Sequence, residues 1–285
     1  MTTAATGGAG GAGPTGGAAG AGPTGAGPTG GAAGASPTGA ASPPAQRARA
    51  QIAAEMSMSL RRGESLLLLI GIPVVILVFF SSVHLLPTGT NHPVSFLAPG
   101  VLALAVMGTA MVNLSIQTGF ERGYGVLKRM GSTPLGRPAL LISKIVSVLC
   151  LEVLQMIVLV PVAIGLGWRP TGGTLAQAVG AVLLGTIGFG GVGLVLAGVL
   201  RAEVNLAAAN GLYLLLLLVS GMLAPLSKLP GWLASISKAL PAAPLADSLH
   251  RALSLGQDVK ASSWITLACW AVGAPLVAAI TFKWE

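Results

Sequence analysis

Charged side chains are scarce in this chain of 285 residues: eight per cent are Asp, Glu, Lys or Arg, against about 25% in a typical soluble domain. Fifty-three per cent are hydrophobic, and the mean hydropathy is +0.81. A chain so poor in charge cannot cover its surface with water-compatible groups, which excludes an ordinary soluble domain and predicts an integral membrane protein. Acids and histidines are few: Glu55, Glu64, Glu121, Glu152, Glu203, Asp247, Asp258 and Glu285, with His84, His92 and His250. They make no His-Glu-x-x-His zinc pattern and no paired intramembrane carboxylates, and no Gly-x-Ser-x-Gly elbow is present, so neither a metal site nor hydrolytic chemistry is expected. The Gly-x-x-x-x-Gly-Lys-Ser/Thr phosphate cradle is also missing. Its nearest look-alike, Gly125 to Thr133, lacks a lysine between Gly131 and the hydroxyls of Ser132 and Thr133. If ATP drives this protein, another polypeptide must bind it. The two cysteines, Cys150 and Cys269, lie inside apolar runs and act there as small hydrophobes, so no disulfide is required.

What charge there is tends basic: sixteen Lys and Arg give a formal net charge of +8. Such a balance can mark nucleic-acid binders. Here the basic residues flank apolar runs, where they report orientation in a bilayer, and nucleic acid is not an expected partner. Residues 1–45 are low-complexity, repeating Gly-Ala-Gly-Pro-Thr-Gly around Pro14, Pro23 and Pro28, with no side-chain charge before Arg47. Lacking an apolar face, this stretch is expected to be disordered, and no basic residue precedes an apolar core as in a signal peptide. The remainder, 46–285, is expected to form one membrane domain. It opens with Ile52, Met56 and Leu60 at a spacing of four among Arg47, Arg49, Arg61 and Arg62, the pattern of an amphipathic helix in the interface.

Six apolar runs follow, at about Ser65–Leu86, Phe96–Gln117, Ala139–Leu166, Leu175–Leu200, Val204–Leu226 and Ser263–Phe282. Each approaches or exceeds the ~20 residues that cross a ~30 Å hydrocarbon core as a helix. They are continuous rather than alternating, which selects helices over barrel strands. The expected fold is therefore all-α, with six transmembrane helices. An inside amino terminus leaves only Arg169, Lys228, Lys238, Arg251 and Lys260 outside, and the other eleven basic residues inside. Both termini are thus expected in the cytoplasm.

Within the spans one ionisable group stands out. Glu152 sits about a dozen residues into the third run, where a carboxylate costs ~2.5–3.5 kcal/mol unless it faces protein or water. It is a candidate for the substrate path or for proton coupling; the alternative is a hydrogen-bonded carboxyl between helices. The fourth run carries Gly180, Gly185, Gly188, Gly190, Gly191, Gly193 and Gly198, suited to close helix packing and, at 190–191, to a loosened helix. Between the second and third runs, Tyr124, Leu127 and Met130 recur every three residues among Arg122, Lys128 and Arg129, before Gly131 and Pro134. That spacing predicts a short amphipathic helix whose apolar ridge docks into a cytosolic partner's groove. The connection 227–262 is too polar to span and too apolar for a free loop, which predicts short helices dipping into the outer interface with Trp232 as an anchor.

Four stretches of this chain resemble the membrane subunits of ABC exporters of the type-2 permease family, the group containing daunorubicin-resistance permeases. They are Leu97-Ala98-Pro99-Gly100; Glu121-Arg122 through Gly125-Val126-Leu127-Lys128-Arg129 to Thr133-Pro134-Leu135; Ser220-Gly221-Met222-Leu223-Ala224-Pro225 with Leu229-Pro230; and Pro241-Ala242-Ala243-Pro244-Leu245-Ala246-Asp247. The match covers roughly 50–285. The resemblance implies six spans, a dimeric permease (a homodimer or a heterodimer), and two ATP-binding subunits that carry ATP and Mg, none of it bound by this chain. It also implies that Glu121, Arg122, Tyr124, Gly125, Val126, Leu127, Lys128, Arg129, Thr133 and Pro134 belong to a coupling helix touching the ATPase. Tyr124 stands where many relatives carry a charge. The 47–63 segment looks like the family's interfacial connecting helix, and 227–260 like its external re-entrant helices. The implied function is ATP-driven efflux of a lipophilic drug, lipid or lipid-linked glycan across a bacterial cytoplasmic membrane. A scaffold without transport and a proton-coupled carrier using Glu152 are the competing readings.

Overall fold

The computed structural model describes residues 63–83, 93–125, 137–171, 174–223 and 229–282, with single positions at 49, 53, 57 and 226. The low-complexity segment 1–45, nearly all of the interfacial helix expected at 47–63, and the loop 126–136 lie outside the described residues.

Among the described residues every regular element is helical. In chain order these are α1 (Gly63–Val83), α2 (Pro93–Met107), a π-helical segment (Gly108–Asn113), α3 (Leu114–Gly123), α4 (Arg137–Gly165), α5 (Leu175–Val199), α6 (Ala202–Val219), α7 (Gly231–Ala239), α8 (Ala242–His250), a π-turn (Arg251–Leu255) and α9 (Ala261–Thr281). Six helices are long and apolar enough to cross a membrane: 66–83, 93–123, 142–165, 175–199, 202–219 and 261–281. They fall on the six expected runs, because backbone groups in hydrocarbon are satisfied only within a helix of that length. Leu67, Leu218 and Ile280 are more than 70% exposed, as suits spans that are apolar all round and face lipid.

Two boundaries differ from the expectation. The second span continues past Gln117 to Gly123, its polar last turns held by partners described below. The fifth span stops at Val219 rather than Leu226, since Gly221 adopts a left-handed backbone (φ 76°) that no helix continues through. The helix that carries the third span, expected to be long, has 29 residues, about 43 Å at 1.5 Å per residue, and so overreaches the hydrocarbon core.

The core is the second span. From Leu97 to Met107 its side chains are buried on all sides, with α4, α5 and α8 around it and α1 alongside. Glycines set the spacing of α5 against its neighbours. A Cβ on Gly191 would stand 2.5 Å from Pro275 N of α9, and one on Gly193 would stand 2.7 Å from Met111 O of the π-helical segment. Backbones this close gain the dispersion contacts that hold helices together where no hydrophobic driving force exists. Inserted polar side chains add directional ties. Gln155 accepts from Thr109 Oγ1 at 2.7 Å and donates through Nε2 to Leu69 O at 2.9 Å, joining α4, the π-helical segment and α1.

Candidate functional site

At the end of the bundle nearest the loop 126–136, α3 is tied along its length to three other helices. Glu121 forms an ion pair through Oε2 with Lys144 Nζ of α4, and its Oε1 accepts from Gln117 Nε2 at 3.1 Å. Lys144 is 1% exposed and Glu121 13%, so the pair is buried on the lysine side and partly open on the other. The neighbouring Arg122 donates from Nη1 to Gly198 O and from Nη2 to Leu200 O. Those carbonyls belong to the end of α5, where helix carbonyls lack intrahelical partners and a cation is favourable. About two turns earlier, in the first turn of α3, Ser115 and Asn205 pair reciprocally: Ser115 Oγ donates to Asn205 Oδ1 at 2.7 Å, and Asn205 Nδ2 donates to Ser115 O at 2.8 Å. Gly119 leaves room for that amide, since a Cβ there would lie 2.6 Å from Asn205 Nδ2. The base of the loop is therefore fixed to α4, α5 and α6 together.

Beyond it, Tyr124 and Gly125 form a turn, Gly125 with φ 69°. Tyr124 is exposed and stacks on Phe120 with ring centroids 6.1 Å apart. The expected ridge of Tyr124, Leu127 and Met130 on one short helix thus needs correction at its first member: Tyr124 lies in the turn that ends α3, because the left-handed Gly125 interrupts the helix. Val126, Leu127, Lys128, Arg129, Thr133 and Pro134 lie outside the described residues. Of the expected coupling residues, Glu121 and Arg122 are brought together at a tied corner, and Tyr124 and Gly125 at its rim.

In the sequence Lys144 stands out only as a charge that reports orientation. Its signal was position: a lysine inside the third apolar run needs a buried partner. Arg122 as a cap for α5 carried no such signal.

At the opposite end, three of the four quoted stretches converge. Gly100 lies so close to Met222 O that a Cβ would meet it at 1.9 Å, and Met222 is fully buried. His250 of α8 sits with Nε2 2.7 Å from Phe96 O and Nδ1 2.6 Å from Ala246 O, a neutral ring donating to one of the two, and its ring centroid is 4.5 Å from that of Phe96. Burial lowers its pKa below the usual histidine value, against the opposing pull of the two carbonyls and Asp247. Asp247 in turn meets Lys260 Nζ at 3.3 Å and accepts from Ser263 Oγ at 3.2 Å, joining α8 to α9. The connection 227–262 contains the expected short helices, α7 and α8, and Trp232 is exposed.

Glu152 lies deep in α4 at 2% exposure. Its Oε2 accepts from Thr186 Oγ1 of α5 at 2.6 Å, while Oε1 has no hydrogen-bond partner. It lines a cavity of about 480 Å³ between α4 and α5, whose lining also includes Trp168, Pro170 and Leu253. No group of three or more His, Cys, Asp or Glu that could hold a metal occurs among the described residues.

Six apolar spans with a charged, tied corner at one end define a multi-pass membrane protein. The family model described as ABC-2 type transporter matches residues 48–253, most of the chain. The chain belongs to that family, as a permease component of an ABC transporter without an ATPase site of its own. Comparison with curated proteins gives no match.

Proposed function

We propose that this chain is the permease of an ATP-driven exporter in a bacterial cytoplasmic membrane, pairing with a second permease copy and two ATP-binding subunits. Its cargo is a lipophilic drug, lipid or lipid-linked glycan, as the absence of charged rings in the described spans favours. Segment 121–134 is the contact with the ATPase and faces the cytoplasm, as do both termini. Membership of a family that generally partners with an ATP-binding subunit supports this reading. The observation that carries it is the tied corner: Glu121 and Arg122 connect the start of that segment to α4 and to the α5–α6 junction at once. A push on the loop by a closing ATPase dimer would therefore move three spans as a body instead of bending one. ATP binds the closed ATPase pair more tightly than the open one, and this difference supplies the free energy for shifting the permease between states.

The test is association. Replacing Leu127 and Lys128 together by alanine abolishes co-purification of the ATP-binding subunit while the chain still inserts and folds. Undiminished co-purification contradicts the proposal.

A further inference from the structure

A cavity of about 470 Å³ lies between α7, α8 and α9, at the end of the bundle opposite the loop 126–136. Its volume falls within the ~300–1,000 Å³ of small-molecule sites. The charged residues that line it are Lys238 of α7, Asp247 of α8 and Lys260, which precedes α9. Asp247 is engaged through both oxygens, Oδ1 with Lys260 Nζ at 3.3 Å and Oδ2 with Ser263 Oγ at 3.2 Å. That contact places the Lys260 ammonium at the cavity, with hydrogens to spare. Lys238 has no ion-pair or hydrogen-bond partner for its ammonium among the described residues. Two lysines against one aspartate leave the lining with one net positive charge, and it is reachable, since Lys260 is 53% and Asp247 30% exposed.

Depth and surroundings say what would bring the matching anion. Lys260 stands immediately before the span 261–281, where that helix leaves the hydrocarbon and lipid phosphates begin. On α7, Trp232 and Ile236 are four residues apart and both exposed, the face a helix presents in the interface. From the rim at Ser262 an apolar stripe descends α9: Ile265, Cys269, Val272 and Leu276 are exposed, and their spacing of four, three and four residues sets them on one face. A cationic cavity at headgroup level that continues into an exposed apolar stripe matches both halves of one molecule. We propose that the cavity between α7, α8 and α9 binds the phosphodiester of an anionic phospholipid, with its acyl chains along that stripe of α9. Lys238 and Lys260 donate to the phosphate oxygens in charge-assisted hydrogen bonds. Phosphatidylcholine has the same phosphate but carries a quaternary ammonium, which the surplus lysine repels. Bound there, the lipid adds to the link between α7 and α9 that Trp270 Nε1 makes by donating to Ala239 O at 2.9 Å. Headgroups lie at both ends of every span, so the site depends neither on the direction of insertion nor on the export reading.

The test uses the purified full-length chain in detergent micelles, titrated with phosphatidylglycerol or phosphatidylcholine of identical acyl chains and read by native mass spectrometry. We expect a saturable phosphatidylglycerol adduct, bound roughly fivefold more tightly than phosphatidylcholine, the factor one lysine supplies at an anionic lipid surface. Lys238→Ala removes the preference, and Lys238→Arg retains it. Ser262→Trp, which fills the cavity, removes it too. Arg169→Ala, which removes an exposed cation outside the cavity lining, leaves it unchanged. Glycerophosphoglycerol, the same headgroup without chains, does not displace the lipid at millimolar concentration. Equal binding of the two lipids by the wild-type chain overturns the proposal, as does a preference that survives Lys238→Ala or Ser262→Trp. A loss in Arg169→Ala equal to that in Lys238→Ala also overturns it, by tracing the preference to diffuse surface charge. Displacement by glycerophosphoglycerol overturns the lipid assignment in favour of a soluble phosphate ester.

Discussion

Alanine substitution at Gly191 and at Gly211 adds the same methyl group to two spans with opposite expected results. At Gly191 the new Cβ would stand 2.5 Å from Pro275 N, 2.6 Å from Pro275 Cδ and 2.7 Å from Ala274 C. These are backbone and ring atoms of α9, so no rotamer change relieves the overlap. Restoring ordinary contact near 3.4 Å requires α5 and α9 to separate by about 1 Å, enough to forfeit a quarter to a half of each neighbouring dispersion contact. Overpacking of this kind costs about 1–3 kcal/mol, against which alanine returns about 0.5–1 kcal/mol of helix propensity. We therefore expect Gly191→Ala to be destabilised by roughly 1 kcal/mol, and by no more than about 2.5 kcal/mol. At Gly211 in α6 nothing lies within 4 Å of the position, so only the propensity term remains and Gly211→Ala is stabilised by about 0.5–1 kcal/mol. The assay is SDS-titrated unfolding of each full-length variant in mixed micelles. Changes of the same sign in the two variants, or a Gly191→Ala protein as stable as wild type, refute the close packing of α5 on α9.

Two further outcomes follow from the polar ties. Arg122→Ala strips donors from two carbonyls at the end of α5 and lowers stability by about 2–4 kcal/mol in the same unfolding assay, and Arg122→Lys, which lacks the forked guanidinium, recovers less than half of the loss. His250 is held below its usual pKa by burial, so on acidification the unfolded chain takes up the proton before the folded one. Its contribution is complete above about pH 6.5 and is lost as pH falls through the depressed folded value. Thermal denaturation from pH 8 to 5 should show a decline that flattens in His250→Gln.

How far the sequence alone reaches depends on the kind of residue. Spans are legible wherever hydropathy decides, as in 175–199, where an uninterrupted apolar run and the resulting helix share their limits to within a residue. Hydropathy fails where polar partners decide. The helix from Gln117 to Gly123 reads as a loop because Glu121 and Arg122 are charged, yet both charges are matched by groups 23 and 76 or more residues away. Nothing in a single sequence gives the rotation of one span against the next, so the pairing of Glu152 with Thr186 and of Thr109 with Gln155 was out of reach. The glycines of α5 mark a packing face, but only the structure assigns Gly191 to α9 and Gly193 to the π-helical segment. The convergence of Gly100 with Met222 was likewise invisible, although both lie in stretches the family resemblance had drawn together.

The claim on which the account turns is that the segment 121–134 faces the cytoplasm, where an ATPase reaches it. Its direct measurement is the labelling of a single cysteine placed by Lys128→Cys in a full-length chain whose Cys150 and Cys269 have been replaced by alanine. A membrane-impermeant maleimide should leave this residue unmodified in intact cells and react with it in inside-out vesicles, while a cysteine placed by Lys238→Cys should behave oppositely. Modification of the residue at 128 in intact cells would contradict the account.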